Sequence, residues 1–398
     1  MSSPPPAQQT APSRIASVDV YRGFVMFLLL AEALQLNKVS QLNPDNEFLK
    51  FLAFNQEHVN WRGCSLHDLI QPSFSFLVGV ALPFSIASRR VRGQAGWLTT
   101  LHAFWRAALL IFLGIFLRSV GEKQTNYTFV DTLTQIGLGY VFLFGLGHIC
   151  PKRLWYHLGF ILIGYWAVFA LIPPLPVSQY DYQLMDGLSP EDRPTGFANH
   201  WDKNTNPASS FDILFLNLFP RQTPFTFNSG GYATMNFIPT LGTMILGLIA
   251  GGWLLAPRTP WSKIGRFLGT GVILLAMGWG LDATGICPSV KRIWTPAWVL
   301  FSGGWCFLLL ALFSALLDTG LPGGWGFPLK VIGANSIAAY VMAHLIRRFI
   351  VQSFKTHFGA EVFSYWPRYE PLVSGFTVLV VYWLILYWLY RRKVFIKI

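Results

Sequence analysis

Chemistry-capable side chains are densest in the run Glu57-His58-Val59-Asn60-Trp61-Arg62-Gly63-Cys64-Ser65-Leu66-His67-Asp68. It holds two histidines, two carboxylates, an arginine and a tryptophan, and an apolar stretch follows directly. An imidazole titrates near neutrality, so His58 with a carboxylate in reach suits a general base or a nucleophile. Asp68 stands where the apolar stretch begins, and a carboxylate at a helix N-terminus is favoured by about 0.3–1 kcal/mol through the helix dipole. The same spacing fits an ordinary polar loop that ends in a capping aspartate, so the residues leave both readings open.

Two further constellations are polar against an apolar background. Asp19 and Arg22, three residues apart in Asp19-Val20-Tyr21-Arg22-Gly23, share a helix face and can pair, either in a site or as an anchor at a membrane edge. Glu32 follows inside the same apolar run. A charge within a spanning helix costs about 2.5–3.5 kcal/mol on insertion scales, so Glu32 is expected to face a cavity or a partner. The third constellation is dispersed. It comprises Asn236, the segment Pro288–Thr295 with Lys291, Arg292 and Trp294, and Asn335-Ser336 with His344. Ser336, Tyr340 and His344 recur every four residues and so lie on nearly one helix face. Asn335 and Ser336 could equally serve as hydrogen-bonding glue between helices. Cys64, Cys150, Cys287 and Cys306 form no CxxC pair, so neither a metal motif nor a disulfide framework is expected. No GxGxxG, P-loop, HExxH or GxSxG signature is present, so a nucleotide-bearing cosubstrate would need a pocket in the helical body.

The elements that must position these residues are membrane helices. The chain has 398 residues, 53% hydrophobic and 12% charged, about half the charge of a typical soluble domain. Sixteen Trp and 34 Phe suit a bilayer protein. The net charge of +12 does not point to nucleic acid, because the basic residues sit in short clusters between apolar runs. A spanning helix needs about 20 apolar residues. That criterion predicts an all-α polytopic bundle of about ten transmembrane helices, near 15–36, 68–88, 98–120, 129–149, 153–173, 233–256, 264–282, 295–318, 329–352 and 371–390. The weakest are the second, interrupted by Pro72 and Pro83, and the ninth, which contains Asn335-Ser336. Arg14, Arg89–Arg92, Lys152-Arg153, Arg258 with Lys263 and Arg266, and Arg391–Lys393 fall on one side, which is therefore expected to be cytoplasmic together with both termini. Lys291-Arg292 and Arg347-Arg348 run against that bias. Residues 1–13 read as a disordered tail with no cleavable signal, and 14–398 as one transmembrane domain with a long exoplasmic loop at about 174–232. No internal repeat is evident.

Taken together, these stretches resemble the heparan-α-glucosaminide N-acetyltransferase family. The resemblance runs from Ser17-Val18-Asp19 and Arg22-Gly23 through His58, Trp61, Gly63, Asp68, Pro72, Phe76 and Gly79. It continues through Asp131–Tyr140, Asn236–Gly251 and Pro288-x-x-Lys291-x-x-Trp294-Thr295, and ends in Gly333-Ala334-Asn335-Ser336-Ile337 with Tyr340 and His344. The resemblance implies acetyl transfer across a membrane, from cytosolic acetyl-CoA to an amino sugar or glycan on the far side, without a metal. It implies His58 as the catalytic histidine and Asp68 as a functional aspartate. Asp19, Arg22, Glu32, Trp61, Asn236, Lys291, Trp294, Asn335, Ser336 and His344 are the expected substrate-binding set. An inner (plasma) membrane of bacterial type is the expected location, and a homodimer is compatible with it. Where family members often carry Asn late in the first helix, this chain has Glu32-Ala33, so acceptor identity does not carry over. Direct transfer with His58 as base and a route through an acetyl-histidine both remain open. So do two other functions, an O-acyltransferase of a cell-envelope glycan and a sugar or lipid transporter.

Overall fold

A computed structural model describes residues 15–176, 193–320 and 322–396. The expected tail at 1–13 and the first part of the long loop, 177–192, lie outside the described residues. The described chain is helical, as the composition requires. Eight helices are long and apolar enough to cross a membrane. Six of them pack as α4 (Ile70–Val91), α5 (Gly96–Ser119), α6 (Thr132–Ile149), α9 (Phe237–Leu255), α10 (Pro260–Ala283) and α11 (Pro296–Leu317). The other two are α7 (Leu154–Leu171) and α15, Glu370–Arg391. Shorter helices complete the set: α1 (Ala16–Leu30), α2 (Leu36–Leu42), α3 (Glu47–Gln56), α8 (Pro207–Leu216), α12 (Phe327–Ala334), α13 (Ser336–Leu345) and α14 (Arg347–Phe358).

The centre of the bundle is α9 against α4. A Cβ on Gly79 would stand 2.0 Å from the carbonyl oxygen of Met244, and one on Gly247 1.9 Å from that of Phe76. Only glycine lets the two backbones meet this closely, which is the small-residue packing that replaces hydrophobic collapse inside a bilayer. Gly23 of α1 and Gly333 of α12 make a second close approach, to Leu329 O and Asp19 O respectively. The outer faces of α5, α7 and α10 leave large apolar side chains uncovered, including Phe112, Phe160, Ile163 and Ile273. Lipid is the solvent such a surface suits.

Two expected spans depart from a continuous helix. The first leaves α-geometry after Leu30, tightens to a 3₁₀ turn over Ala31–Leu34, and ends at Gln35 in the left-handed region, φ 49°. The ninth breaks at Asn335 and again at Ile346, so 329–352 is three helices rather than one. The first break has a visible cause. Asn335, fully buried, donates to Val394 O (3.1 Å) and accepts from Ile396 N (3.0 Å), so its amide ties down the C-terminal segment. After the second break, α14 has only Ile350 buried and carries Arg347, Arg348 and Lys355, the pattern of a helix lying along an interface. Of the described part of the long loop, residues 193–232 are ordered by a buried Arg193–Asp202 pair (2.9 Å), by Asn206 capping α8, and by Asp212 accepting from Thr234 N.

Candidate active site

His58 lies in the segment between α3 and α4, and Asp68 in a 3₁₀ turn, His67–Leu69, that leads into α4. Asp68 accepts on every side. Its Oδ2 takes Val59 N (3.2 Å), Ser65 N (3.0 Å) and Ser65 Oγ (3.0 Å). Its Oδ1 faces His58 Nδ1 at 2.8 Å and Lys291 Nζ at 3.2 Å. Lys291 Nζ also lies 3.0 Å from His58 Nδ1. Lysine, carboxylate and imidazole thus close a triangle, with Asp68 and Lys291 buried and the His58 side chain 37% exposed. All of this uses Nδ1, which leaves Nε2 for chemistry.

Burial pushes His58 below the usual imidazole value. The hydrogen bond to Asp68 works against that, and the nearby Lys291 charge adds to it. The histidine is therefore held neutral, with a lone pair to offer. Lys291 is itself pushed down to about 8, by burial first and against the pull of Asp68. Asp68 Oδ1 is shared between His58 and Lys291, so its negative charge faces both groups at once.

Lys291 reaches the pair because its loop is pinned. Val290 bridges to Arg62, Thr295 Oγ1 takes Val290 N (3.0 Å), and Arg292 donates to Gly230 O (2.7 Å) and Val59 O (3.3 Å). Trp294 sits at φ 48° and donates through its indole to Thr243 Oγ1 at 3.2 Å. Asn236 donates to Arg292 O at 2.8 Å. Asn236 and Trp294 hold the strap that carries Lys291. Trp61 donates to Trp201 O at 3.1 Å and seats the ordered loop against the site.

Two cavities of about 400 Å³ each lie side by side in the bundle and share lining residues. The one at the His58 end is lined by His58, His67, Lys291, Glu32 and His344, together with Arg118, Tyr232 and Gln71. Here Glu32 Oε1 meets His67 Nε2 at 3.1 Å, and the His67 ring lies 4.5 Å from that of His58. His344 stacks on Tyr340, their centroids 4.6 Å apart. The other cavity is lined by Asp19, Arg22, Arg106 and Ser336 among apolar residues. Asp19 and Arg22 pair at 3.4 Å, as their spacing predicts. Thr132 and Tyr340 line both cavities and so stand at their junction.

The structure thus brings Glu32, Lys291 and His344 to the His58–Asp68 pair, and groups Asp19, Arg22 and Ser336 in the adjoining cavity. Trp61, Asn236, Trp294 and Asn335 lie outside both. Arg118, Tyr232 and Arg106 escape the sequence reading. Arg118 looks like a helix flank and Tyr232 sits among loop residues, so nothing local marks them. Arg106 lies well inside the expected span 98–120, where a charge is costly, and that position is the signal for it. Among the described residues no group of three or more His, Cys, Asp or Glu could hold a metal ion.

No protein-family model matches the chain. The chain is similar to heparan-alpha-glucosaminide N-acetyltransferase. The Homo sapiens protein of that name is 23% identical over 432 residues, covering 97% of this chain and 60% of the relative. The Mus musculus protein is 22% identical over 435 residues, covering 99% of this chain and 62% of the relative. The chain therefore spans about three fifths of the length of these curated relatives.

Proposed function

We propose that this protein is a membrane-embedded acetyltransferase that carries an acetyl group from cytosolic acetyl-CoA to an amino sugar or glycan on the exoplasmic side. The observation that carries the reading is the Lys291–Asp68–His58 triangle, with His58 and Lys291 on the wall of a polar cavity. Its histidine is kept neutral by its surroundings, in a chain similar to two N-acetyltransferases. Two cavities that meet at Thr132 and Tyr340 would give a long thioester donor room on both sides of those residues. The basic clusters, at the cavity end away from His58, favour placing both termini in the cytoplasm.

A thioester is already activated, so the protein has to hold donor and acceptor in line and manage one proton. In direct transfer the acceptor nitrogen attacks the thioester carbonyl and the C–S bond breaks. His58 Nε2 takes the N–H proton and returns it to the departing thiolate. In the covalent route Nε2 itself attacks, the thiolate leaves, and the acceptor then displaces imidazole from the acetyl group. Asp68 and Lys291 hold Nδ1 and the ring orientation in both.

Purified full-length protein incubated with radiolabelled acetyl-CoA and a panel of amino sugars and hydroxyl-bearing glycans tests the reading. Label is expected on an amino acceptor, and His58→Ala is expected to lower transfer by about 10²–10⁴-fold. Label only on hydroxyl acceptors would make the protein an O-acyltransferase. No transfer to any acceptor, or near-parental turnover by the variant, would overturn the proposal. Label trapped on the protein without acceptor would select the covalent route.

A further inference from the structure

A third cavity, of about 570 Å³, opens beside the cavity that contains Asp19, and the two share Asp19 and Ala334. Its walls differ in kind from the rest of the bundle. Phe327, Tyr387 and Tyr390 form an edge-to-face cluster, with centroids 6.2 Å and 5.9 Å from Phe327 to the two tyrosines. Around them stand three cations, Lys330 from α12, Arg391 at the end of α15, and Lys393 just beyond it. Arg391 lies over the Tyr387 ring at 6.0 Å. Lys330 and Lys393 are exposed, and among the described residues their ammonium groups show no hydrogen bond or ion pair. The carboxylate that faces this cavity, Asp19, is already paired with Arg22. The net field at the cleft is therefore positive, beside aromatic faces.

The C-terminal segment forms the partition. Phe395 lines the cleft while Ile396 lines the adjoining cavity, and the buried Asn335 holds this stretch through Val394 O and Ile396 N. Asn335, which lines neither of these two cavities, thus sets the position of the wall between them.

Unpaired cations around aromatic rings suit a phosphorylated nucleotide, since lysines act as point charges for phosphate and a base stacks on aromatic faces. We propose that this cleft binds the 3′-phosphoadenosine diphosphate end of the acyl-CoA donor, with the pantetheine arm passing Asp19 into the cavity that leads to Tyr340. The assignment rests on the acetyltransferase reading given above. It names Lys330, Lys393 and Arg391 as phosphate partners and Tyr387, Tyr390 and Phe327 as the base platform. Asn335 is a positioning residue. An anionic lipid headgroup shares the phosphate chemistry, so the test has to separate the two.

Full-length protein in zwitterionic nanodiscs is titrated calorimetrically with CoA, 3′-dephospho-CoA and pantetheine, alongside Lys330→Ala and Lys393→Ala variants. All three ligands lack the acetyl group, so this arm does not depend on turnover. Each variant is expected to weaken CoA binding by about tenfold or more, the scale of a lost charge-assisted contact, and to leave pantetheine binding unchanged. Both lysines are exposed, so the thermal midpoint should match the parent. Acetyl transfer from S-acetylpantetheine, which lacks the nucleotide, is expected to be equal in parent and variants. Parental CoA affinity in both variants would overturn this assignment while leaving the acetyltransferase reading intact. A parent that transfers label from neither acetyl-CoA nor S-acetylpantetheine would instead remove that reading. Nanodiscs with added phosphatidylglycerol separate the lipid. If the anionic lipid suppresses CoA binding by the parent to the level of the variants, the cleft belongs to a headgroup and the proposal fails.

Discussion

At the scale of the residue, the decisive feature is that one carboxylate oxygen serves two cations-in-waiting. Asp68 Oδ1 takes both His58 and Lys291, and Lys291 also leans on the imidazole. The pH dependence follows from the signs. His58 must be neutral to act, its neutral form dominates above its pKa, and its pKa is lowered. Activity should therefore persist to lower pH than an ordinary histidine would allow. Removing the positive charge with Lys291→Met leaves Asp68 unopposed and raises the His58 pKa, so the acid limb of kcat/KM should move to higher pH. A pH–rate profile of both enzymes reads this directly. An acid limb that stays in place or moves down would mean that Lys291 does not set the state of His58.

At the scale of the element, helix positions in this chain depend on glycine. Gly247 faces α4 across a contact that admits no Cβ, whereas a Cβ on Gly252, five residues on in the same helix, would meet nothing within 4 Å. Gly247→Ala must push apart two backbones, and overpacking of this kind costs about 1–3 kcal/mol. Gly252→Ala is expected to be neutral or slightly stabilising, since alanine is the better helix former. Thermal midpoints in detergent should separate the two variants. Equal midpoints would show that α4 and α9 are not in contact as described. The breaks at Leu30 and Asn335 belong to this scale too. Each lies where a polar side chain turns from its own helix toward a cavity or another segment, Glu32 toward His67 and Asn335 toward the C-terminal stretch.

At the scale of the whole molecule, the cavities place the two halves of the proposed reaction at opposite ends of one bundle. Val18, Asp19, Arg22 and Met26 of α1 line one cavity, and Leu29 near its C-terminal end lines the other. This predicts that Gln41, beyond α1, and Gln94, beyond α4, lie on opposite sides of the membrane. Both are exposed, so single cysteines there can be labelled with a membrane-impermeant thiol reagent in intact cells. Gln41 should label from outside and Gln94 only after permeabilisation. Labelling of both from one side would refute the topology.

What the sequence determines by itself is set by solvent and by near neighbours. Low charge and long apolar runs identify lipid as the surrounding medium, and eight of the expected spans are whole helices because each satisfies its own backbone. The Asp19–Arg22 pair is legible from helical spacing, whereas the ten residues from His58 to Asp68 could span roughly 33 Å and so permit that contact without fixing it. Lys291 is different. It lies 223 residues beyond Asp68, and its place in the triangle depends on a strap held by Asn236, Arg292 and Trp294. The Glu32–His67 pair, the two-sided role of Tyr340, and the tying of the C-terminal segment by Asn335 are likewise contacts between segments. Hydropathy is a sum over neighbours in the chain and contains no term for which helices meet. Those meetings are decided by backbone approach at Gly79, Gly247, Gly23 and Gly333, and only the tertiary structure contains them.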